Sequence, residues 1–394
     1  MSAQPRLAPP AFALTPSYVR SRDPRSLLGP RTLALFGFGA AAAEKLDDPR
    51  YLRVPLQPLE AEGADTYEVW TCSEAVEPWR EGRIGGGRSA SLCFGALQLV
   101  VDEGSPAAAA EQAYRLLAEH RRSAAHSHLL RLWNYLDAIV EGEGDHERYR
   151  QFCVGRAEAL DLPDATLPAA TAIGHREGTR LLQVYWLSST RPGSAVENPR
   201  QVPAYRYPRS YGPRAPSFAR AMRADAADAL PLLLSGTAAV VGHASLHHDS
   251  VVAQLRETFD NFDSLLGAAR AADARIAPGF GAHSLLKVYL RDASALPELQ
   301  AALLRLLPAD VPRLILQGDI CRRELPGRLT PVQPRNARAY RPVRHTRAGD
   351  PPPCPHGPHP PPTSQGTPQP PPDKTPDFCL HAPYAGSGAF QRTR

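Results

Sequence analysis

The stretch from Tyr205 to Arg220 concentrates side chains that bind small anions. It holds four arginines, three tyrosines and three prolines. An arginine guanidinium can bind a carboxylate through two parallel hydrogen bonds, and a tyrosine hydroxyl can donate another. Proline restricts the backbone that carries these groups. The pattern predicts a loop for a small, planar ligand with more than one carboxylate, and a surface loop of cation–π pairs is the alternative.

Three other groups of residues have the residue types of dinucleotide-binding or metal-binding sites, but their spacing does not match such sites. Gly37 and Gly39 follow an apolar run, but Ala42 stands where a dinucleotide fingerprint has its third glycine. The histidines and aspartate between residues 243 and 249 are predicted at a strand end and loop, which favours hydrogen bonding over a metal site. The acidic loop 141–147 is expected to be solvated rather than to bind calcium. The sequence therefore predicts no metal site.

These candidate groups must be positioned by a mixed set of helices and strands. Apolar spacing predicts helices at 106–122, 126–140, 149–160, 250–269 and 295–307. It predicts strands at 32–39, 67–72, 169–174, 181–187, 232–241, 285–290 and 313–321, and residues 84–101 are expected to form a turn that leads into a buried strand. Two helices on one face of a sheet give an α+β class.

Composition limits the partners of this chain. Nine of the 45 Lys and Arg and three of the 40 Asp and Glu lie after Leu325, so the first 325 residues carry 36 basic and 37 acidic residues. This balance gives no electrostatic footprint for nucleic acid. No apolar run approaches the length of a membrane span. Six scattered cysteines fit a reducing cytoplasm better than a disulfide framework.

The chain changes character after Leu325. Eighteen of its 42 prolines lie in residues 326–394, where little apolar patterning remains. A proline-rich, basic segment cannot bury enough apolar surface to fold, so a disordered tail is predicted. The predicted organisation is an irregular arm at 1–30, an N-terminal α+β subdomain at 31–165, a C-terminal α+β subdomain with the active site at 166–325, and the tail at 326–394.

Several motifs, found in order between residues 30 and 325, together resemble the chorismatase family. They are Leu132-Trp-Asn-Tyr-Leu136, Arg150-Gln-Phe-Cys-Val-Gly-Arg156, Tyr211-Gly-Pro-Arg-Ala-Pro-Ser-Phe-Ala-Arg220, Ser235-Gly-Thr-Ala-Ala-Val-Val-Gly-His243, Leu286-Lys-Val-Tyr-Leu-Arg291 and Gly318-Asp-Ile-Cys-Arg322. The last three also resemble reactive-intermediate deaminases. The resemblance implies two deaminase-like subdomains of the chorismate mutase-like sandwich type, each a sheet with helices on one face, in a cytoplasmic monomer or trimer.

The resemblance also implies an activity, namely release of pyruvate from chorismate without a cofactor. In the family a glutamic acid protonates the enolpyruvyl methylene, which is general-acid catalysis by a buried carboxyl. Chorismate carries two carboxylates, and the candidates for binding it are Arg156, Tyr205, Tyr211, Arg214 and Lys287.

Two positions predict the fate of the ring. Cys321 and Gly236 resemble the family's aromatising subtype, which forms 3-hydroxybenzoate for pigments or other aromatic secondary metabolites. The other subtype is a hydrolase that yields a dihydroxycyclohexadiene carboxylate. On residue type alone, Cys321 is better interpreted as a small buried hydrophobe at a strand end, and only the surrounding motif match favours a role in the reaction.

The chain departs from the family at the catalytic acid. The family's glutamate lies seven residues after this cysteine, where the present chain has Arg328, and Glu324 is the nearest carboxyl. Pro326 and Gly327 are expected to break the strand. A shifted reading frame is the hypothesis for the altered end, tested by whether another frame after codon 325 encodes a Val-Glu-Ile strand. An impaired enzyme is predicted, and the alternative is a non-catalytic dicarboxylate-binding protein with a partner-recruiting tail.

Overall fold

The strands and helices come from a computed structural model that describes residues 13–60, 65–101, 105–225 and 230–334. The strands are β1 (Leu14–Arg20), β2 (Thr32–Phe38), β3 (Tyr51–Val54), β4 (Thr66–Cys72), β5 (Glu77–Glu81), β6 (Ile84–Arg88), β7 (Leu92–Val100), β8 (His128–Asp137), β9 (Ala169–His175), β10 (Leu181–Ser189), β11 (Ser194–Val196), β12 (Ala221–Arg223), β13 (Leu232–Leu234), β14 (Val240–Val241), β15 (Ala244–Ser245), β16 (Leu285–Leu290), β17 (Arg313–Gln317), β18 (Asp319–Ile320) and β19 (Gly327–Gln333). The helices are α1 (Pro106–Ser123), α2 (Arg148–Leu160), α3 (Val251–Ala272) and α4 (Leu296–Leu306). Most of the predicted tail, from residue 335 onward, lies outside the described residues.

A four-stranded sheet in the order β1-β4-β2-β3 begins the chain. Strand β1 pairs antiparallel with β4 along its whole length. The prediction of an irregular arm over residues 1–30 was therefore wrong for Leu14–Arg20. Backbone hydrogen bonds to β4 hold this strand, and such bonds require no regular apolar alternation in its side chains.

A seven-stranded sheet in the order β18-β9-β8-β10-β7-β6-β5 forms the centre of the first half. Helices α1 and α2 pack on it, and Ser105 caps the start of α1, where its side chain accepts a hydrogen bond from the Ala108 amide. The opposite face meets the four-stranded sheet, where the rings of Trp70 and Trp133 lie 5.2 Å apart. Both faces of this sheet are thus covered.

This double coverage explains the helix that was wrongly predicted at 126–140. The segment forms strand β8, and nine of its ten residues are buried. A strand that is covered on both faces is a nearly continuous apolar run, and some of its residues fall at helical spacing by chance. Residues 84–88, expected in a turn, likewise form strand β6.

A six-stranded sheet in the order β11-β12-β13-β19-β16-β17 carries α3 and α4, which share an apolar core with it. The predicted alternation of strands and helices after Leu232 is confirmed, although 232–241 forms two short strands. The sheets with packed helices confirm the α+β class. However, β9 and β10, which lie after the predicted boundary at residue 166, belong to the seven-stranded sheet of the first half.

The predicted strand break at Pro326 and Gly327 was wrong. Strand β19 lies between β13 and β16, and Arg328 pairs with Tyr289. The buried Leu329 joins the core beneath the helices, while Arg328 faces away from it toward β9. Proline removes only one donor from a ladder, and the pairing of β19 with β16 continues through Pro331 to Val332.

The two larger sheets meet beside β9. The Ser235 hydroxyl accepts a hydrogen bond from the Ala170 amide at 2.8 Å, and the Gly236 amide donates to the Thr171 hydroxyl at 3.0 Å. These bonds hold the segment after β13 against β9. Among the helices of the described ranges, none has both the length and the apolar composition of a membrane span.

Candidate active site

A cavity of about 500 Å³ opens beside this junction. Its walls come from four segments that are remote in sequence: the loop before α2, the arginine-tyrosine stretch, the turn after β13, and the segment from Cys321 to Arg328. Its charged lining residues are Glu143, Glu147, Arg150, Arg220, Arg322, Arg323, Glu324 and Arg328. The size falls in the range of small-molecule sites.

Arg328, Cys321 and Gly236 lie together on the side of the cavity next to β9, which we call the cavity floor. Nη1 of Arg328 donates to the Ala172 carbonyl at 3.2 Å and lies 3.6 Å from the Cys321 Sγ. A Cβ added at Gly236 would come within 2.8 Å of the Arg328 Cδ and Nε atoms. Glycine at 236 therefore permits the observed position of this arginine.

A wall of arginine and tyrosine side chains faces the floor. The Arg322 guanidinium lies 4.3 Å from the Tyr211 ring centroid and 5.1 Å from that of Tyr207. Tyr211 donates its hydroxyl proton to the His243 carbonyl at 2.7 Å, and Arg322 donates to the same oxygen at 2.9 Å. Arg220 donates to the Tyr207 hydroxyl at 2.7 Å. Stacked and hydrogen-bonded cations of this kind are fixed in place for an anionic ligand.

Two carboxyl groups stand on the rim near these cations. Burial raises the pKa of Glu147, and the neighbouring Glu324 raises it further, against the opposing effect of Arg150 and Arg323. The Glu147 carboxylate lies 3.9 Å from Arg150 and 3.8 Å from Arg323. Glu324 accepts a hydrogen bond from the Ser245 hydroxyl at 2.8 Å. A raised pKa keeps more of the acid form of Glu147 available for proton donation.

Four residues predicted from the sequence line this cavity, namely Cys321, Gly236, Glu324 and Tyr211. The free Cys321 thiol is buried, as the simpler interpretation of this residue also required. The predicted hydrogen-bonding role of His243 agrees with its contact to Tyr211. Within the described parts of the chain, no group of three His, Cys, Asp or Glu side chains is placed to hold a metal ion.

The other four predicted residues lie outside the cavity lining. Arg156 is buried, donates to the Ser217 carbonyl at 2.6 Å and covers the Tyr114 ring. Arg214 is exposed and paired with Glu158 at 3.1 Å. The Tyr205 ring contacts the Arg206 guanidinium.

Lys287, the fourth, is buried in an ion pair with Glu68. Strand β16 carries Lys287 on the face that meets the four-stranded sheet, and the rings of Phe36, Trp133 and Tyr185 surround its ammonium group. The motif match around Lys287 gave no sign of this partner, because Glu68 lies more than two hundred residues earlier in the chain.

Arg322, Arg150 and Glu147 were missed as individual site residues. Arg150 and Arg322 stand inside motifs that were identified, but nothing in their local pattern separates them from surface arginines. Glu147 was placed in a solvated loop. Its burial depends on the contact between the start of α2 and the segment after Cys321, which the sequence does not reveal. Arg220 and Tyr207 belong to the stretch that the sequence did single out.

Comparison with known proteins places these features in a family. Residues 68–188 match the family model described as chorismatase FkbO/Hyg5-like, N-terminal. A 3-hydroxybenzoate synthase of Streptomyces hygroscopicus is 37% identical over 55% of this chain and 66% of its own length. A chorismatase of the same species is 33% identical over 66% of this chain and 76% of its own length. A crystal structure of chorismatase superposes with a TM-score of 0.71 at 27% identity, covering 82% of this chain and 98% of that one. The chain belongs to the chorismatase family.

Proposed function

We propose that this protein binds chorismate in the cavity beside β9 and releases pyruvate from it, with 3-hydroxybenzoate as the ring product. The observation that carries the proposal is the cavity itself, where arginines and tyrosines of the wall face Cys321 and Gly236 on the floor. The names of the relatives, 3-hydroxybenzoate synthase and chorismatase, support the same substrate.

Substrate binding in this proposal uses the wall. Chorismate presents two carboxylates, and one of them can bind Arg322 and Arg220, whose guanidinium groups are already held by Tyr211 and Tyr207. A preorganised cation loses little freedom when it binds a carboxylate. The aromatic rings provide apolar surface for the cyclohexadiene ring of the substrate.

The proton for the enolpyruvyl methylene cannot come from Arg328. A guanidinium stays protonated in proteins and does not act as an acid near neutral pH. Glu147 is the better donor among the rim carboxyls because its raised pKa favours the protonated form, and Glu324 is the second candidate. Protonation of the methylene gives an electrophilic side chain, and loss of pyruvate follows. We propose that this arrangement makes the protein a slow enzyme.

The proposed ring product is supported by two residues of the floor. Cys321 and Gly236 lie together there, and both positions resemble the family's aromatising subtype. Aromatisation leaves a single hydroxyl on the ring of 3-hydroxybenzoate. A hydrolase would instead add water and leave a cyclohexadiene with two hydroxyls. The lyase-type outcome is therefore proposed over the hydrolase-type outcome.

The direct test incubates the full 394-residue protein with chorismate, follows pyruvate with a coupled assay and resolves the ring product by chromatography. We expect slow release of pyruvate in equal amount to 3-hydroxybenzoate, above the rate of spontaneous decay without protein. A dihydroxycyclohexadiene carboxylate would refute the product assignment. Absence of both pyruvate release and chorismate binding would refute the proposed function.

Replacing Glu147 by glutamine should lower pyruvate release by about 10²-fold or more, the lower range for loss of a positioned acid. Since the acid acts when protonated, the wild-type rate should fall as pH rises through the pKa of Glu147, which lies above its ordinary value of 4.5. The variant should lose this dependence. A rate–pH profile for both proteins checks the prediction, and Glu324→Gln is the matched comparison. An unchanged profile in Glu147→Gln would transfer the role to Glu324 or remove it from the rim.

A second candidate function is a non-catalytic dicarboxylate-binding protein whose tail recruits a partner. The cation at position 328 favours it, because a buried arginine supports anion binding and cannot supply a proton. Ligand-induced stabilisation without pyruvate release would distinguish it from the enzyme. The tail lies outside the described residues, apart from the strand that ends at Gln333.

A further inference from the structure

Arg328 on the cavity floor has a second buried arginine, Arg131, as its neighbour. The side chains of Arg328 and Arg131 are both buried, with residue exposures of 8% and 2%. Arg131 donates to the Leu132 carbonyl and to the Thr171 hydroxyl. Arg328 donates to the carbonyl of Ala172, the residue after Thr171 in β9. In the portions of the chain that the structure describes, no carboxylate forms an ion pair with either guanidinium.

The Arg328 cation affects its buried neighbour Arg131. Burial, as the largest cause, and the nearby Arg328 cation lower the pKa of Arg131 to about 9, although tyrosines around it act in the opposite direction. A like charge in a dry environment disfavours the charged form, which is the expected response of two cations that share a site without an anion. An anion on the floor would relieve this repulsion.

Arg328 keeps donors available for such an anion. Its hydrogen bonds to protein all come from Nη1, and the buried Nε has no acceptor. No acceptor for Nη2 is found among residues 13–60, 65–101, 105–225 and 230–334. Because Arg328 lines the cavity, a ligand bound there can contact this guanidinium.

We propose that the cavity floor is a carboxylate subsite in which Arg328 binds an anionic group of the ligand. The inference rests on the proposed function and narrows the ligand class of that site. The preferred ligand is a six-membered ring carboxylate with a second carboxylate on the ring or, as in chorismate, on a side chain of the ring, so that one anion meets the wall arginines and the other meets Arg328. Where the family has a proton donor, this chain has a permanent cation.

Two small aromatic acids test the subsite. Isophthalate and 3-hydroxybenzoate differ only in having a carboxylate or a hydroxyl at ring position 3. We expect the full-length protein to bind isophthalate about tenfold more tightly or better by isothermal titration calorimetry, as a charge-assisted hydrogen bond predicts. Arg328→Gln should reduce this preference to about twofold or less, and Arg115→Gln, which removes an exposed arginine on α1, should preserve it.

Equal wild-type affinities for the two probes would overturn the inference, as would an Arg328→Gln protein that retains the full preference. The wild-type comparison requires no variant, so equal affinities overturn the inference even if Arg328→Gln fails to fold. Loss of the preference in Arg328→Gln is the result that assigns it to Arg328 rather than to the wall arginines. Chorismate is titrated in parallel. Chorismate binding without an isophthalate preference removes the carboxylate subsite alone, whereas failure to bind any of the three ligands removes the proposed function as well.

Discussion

Replacing Arg328 by glutamate should raise the rate of pyruvate release at saturating chorismate by about 10²- to 10⁴-fold, the contribution of a positioned general acid, while loss of the Arg328 contact to a ligand carboxylate should raise KM. The substituted residue faces the cavity from β19 and stands seven residues after Cys321, where the family places its acid. The floor beside it is covered by protein, since Arg328 itself is 8% exposed. Burial would raise the pKa of the new carboxyl, against the opposing effect of the nearby Arg131 cation.

Arg328→Gln is the control for this prediction because it removes the cation without adding an acid. Initial rates of pyruvate formation are measured for the three proteins at the same pH, with circular dichroism to confirm that each is folded. If the glutamine variant gained as much activity as the glutamate variant, relief of charge rather than proton donation would explain the increase. If neither gained activity, the floor would not be the place where the enolpyruvyl group is protonated.

The sequence predicted the family and the parts of the site that short motifs describe. Tyr211, Cys321 and Gly236 were found because each stands inside a motif whose neighbours also match, and all three line the cavity. The sequence also showed Arg328 seven residues after Cys321, where the resemblance predicts a glutamate. What the motifs did not show was that residues after Pro326 still form a central strand, since a proline-rich composition suggested a tail.

The remaining errors share a physical cause, which is contact between segments that are distant in sequence. Arg156 and Arg322 have the same side chain, and only the folded structure shows that Arg156 is committed to Ser217 and Tyr114 whereas Arg322 faces the cavity. Strand β8 was mistaken for a helix because two other layers cover it. Local periodicity does not record which layers will pack together.

Replacing Lys287 by methionine should lower the free energy of unfolding by about 3–5 kcal/mol, as expected when one partner of a buried ion pair is removed. Its Nζ lies 2.7 Å from the Glu68 Oε2, and the two side chains are 5% and 1% exposed. Burial alone lowers the pKa of Lys287, but Glu68 and the hydroxyls of Tyr185 and Tyr289 outweigh it, so the pKa is raised. Without the ammonium group, Glu68 is left as an uncompensated buried charge between two sheets.

Urea unfolding followed by circular dichroism measures this loss, and Lys287→Met/Glu68→Gln is the matched control. Glutamine can still accept the hydrogen bond that Glu68 receives from the Trp70 indole at 2.7 Å, so the double variant should recover most of the lost stability. A single variant within about 1 kcal/mol of wild type would show that the pair contributes little. Chorismate affinity, measured well below the unfolding transition, separates the two roles of this lysine. An unchanged affinity assigns Lys287 to joining the sheets, whereas weaker binding by the folded variant would support the substrate contact predicted from its motif.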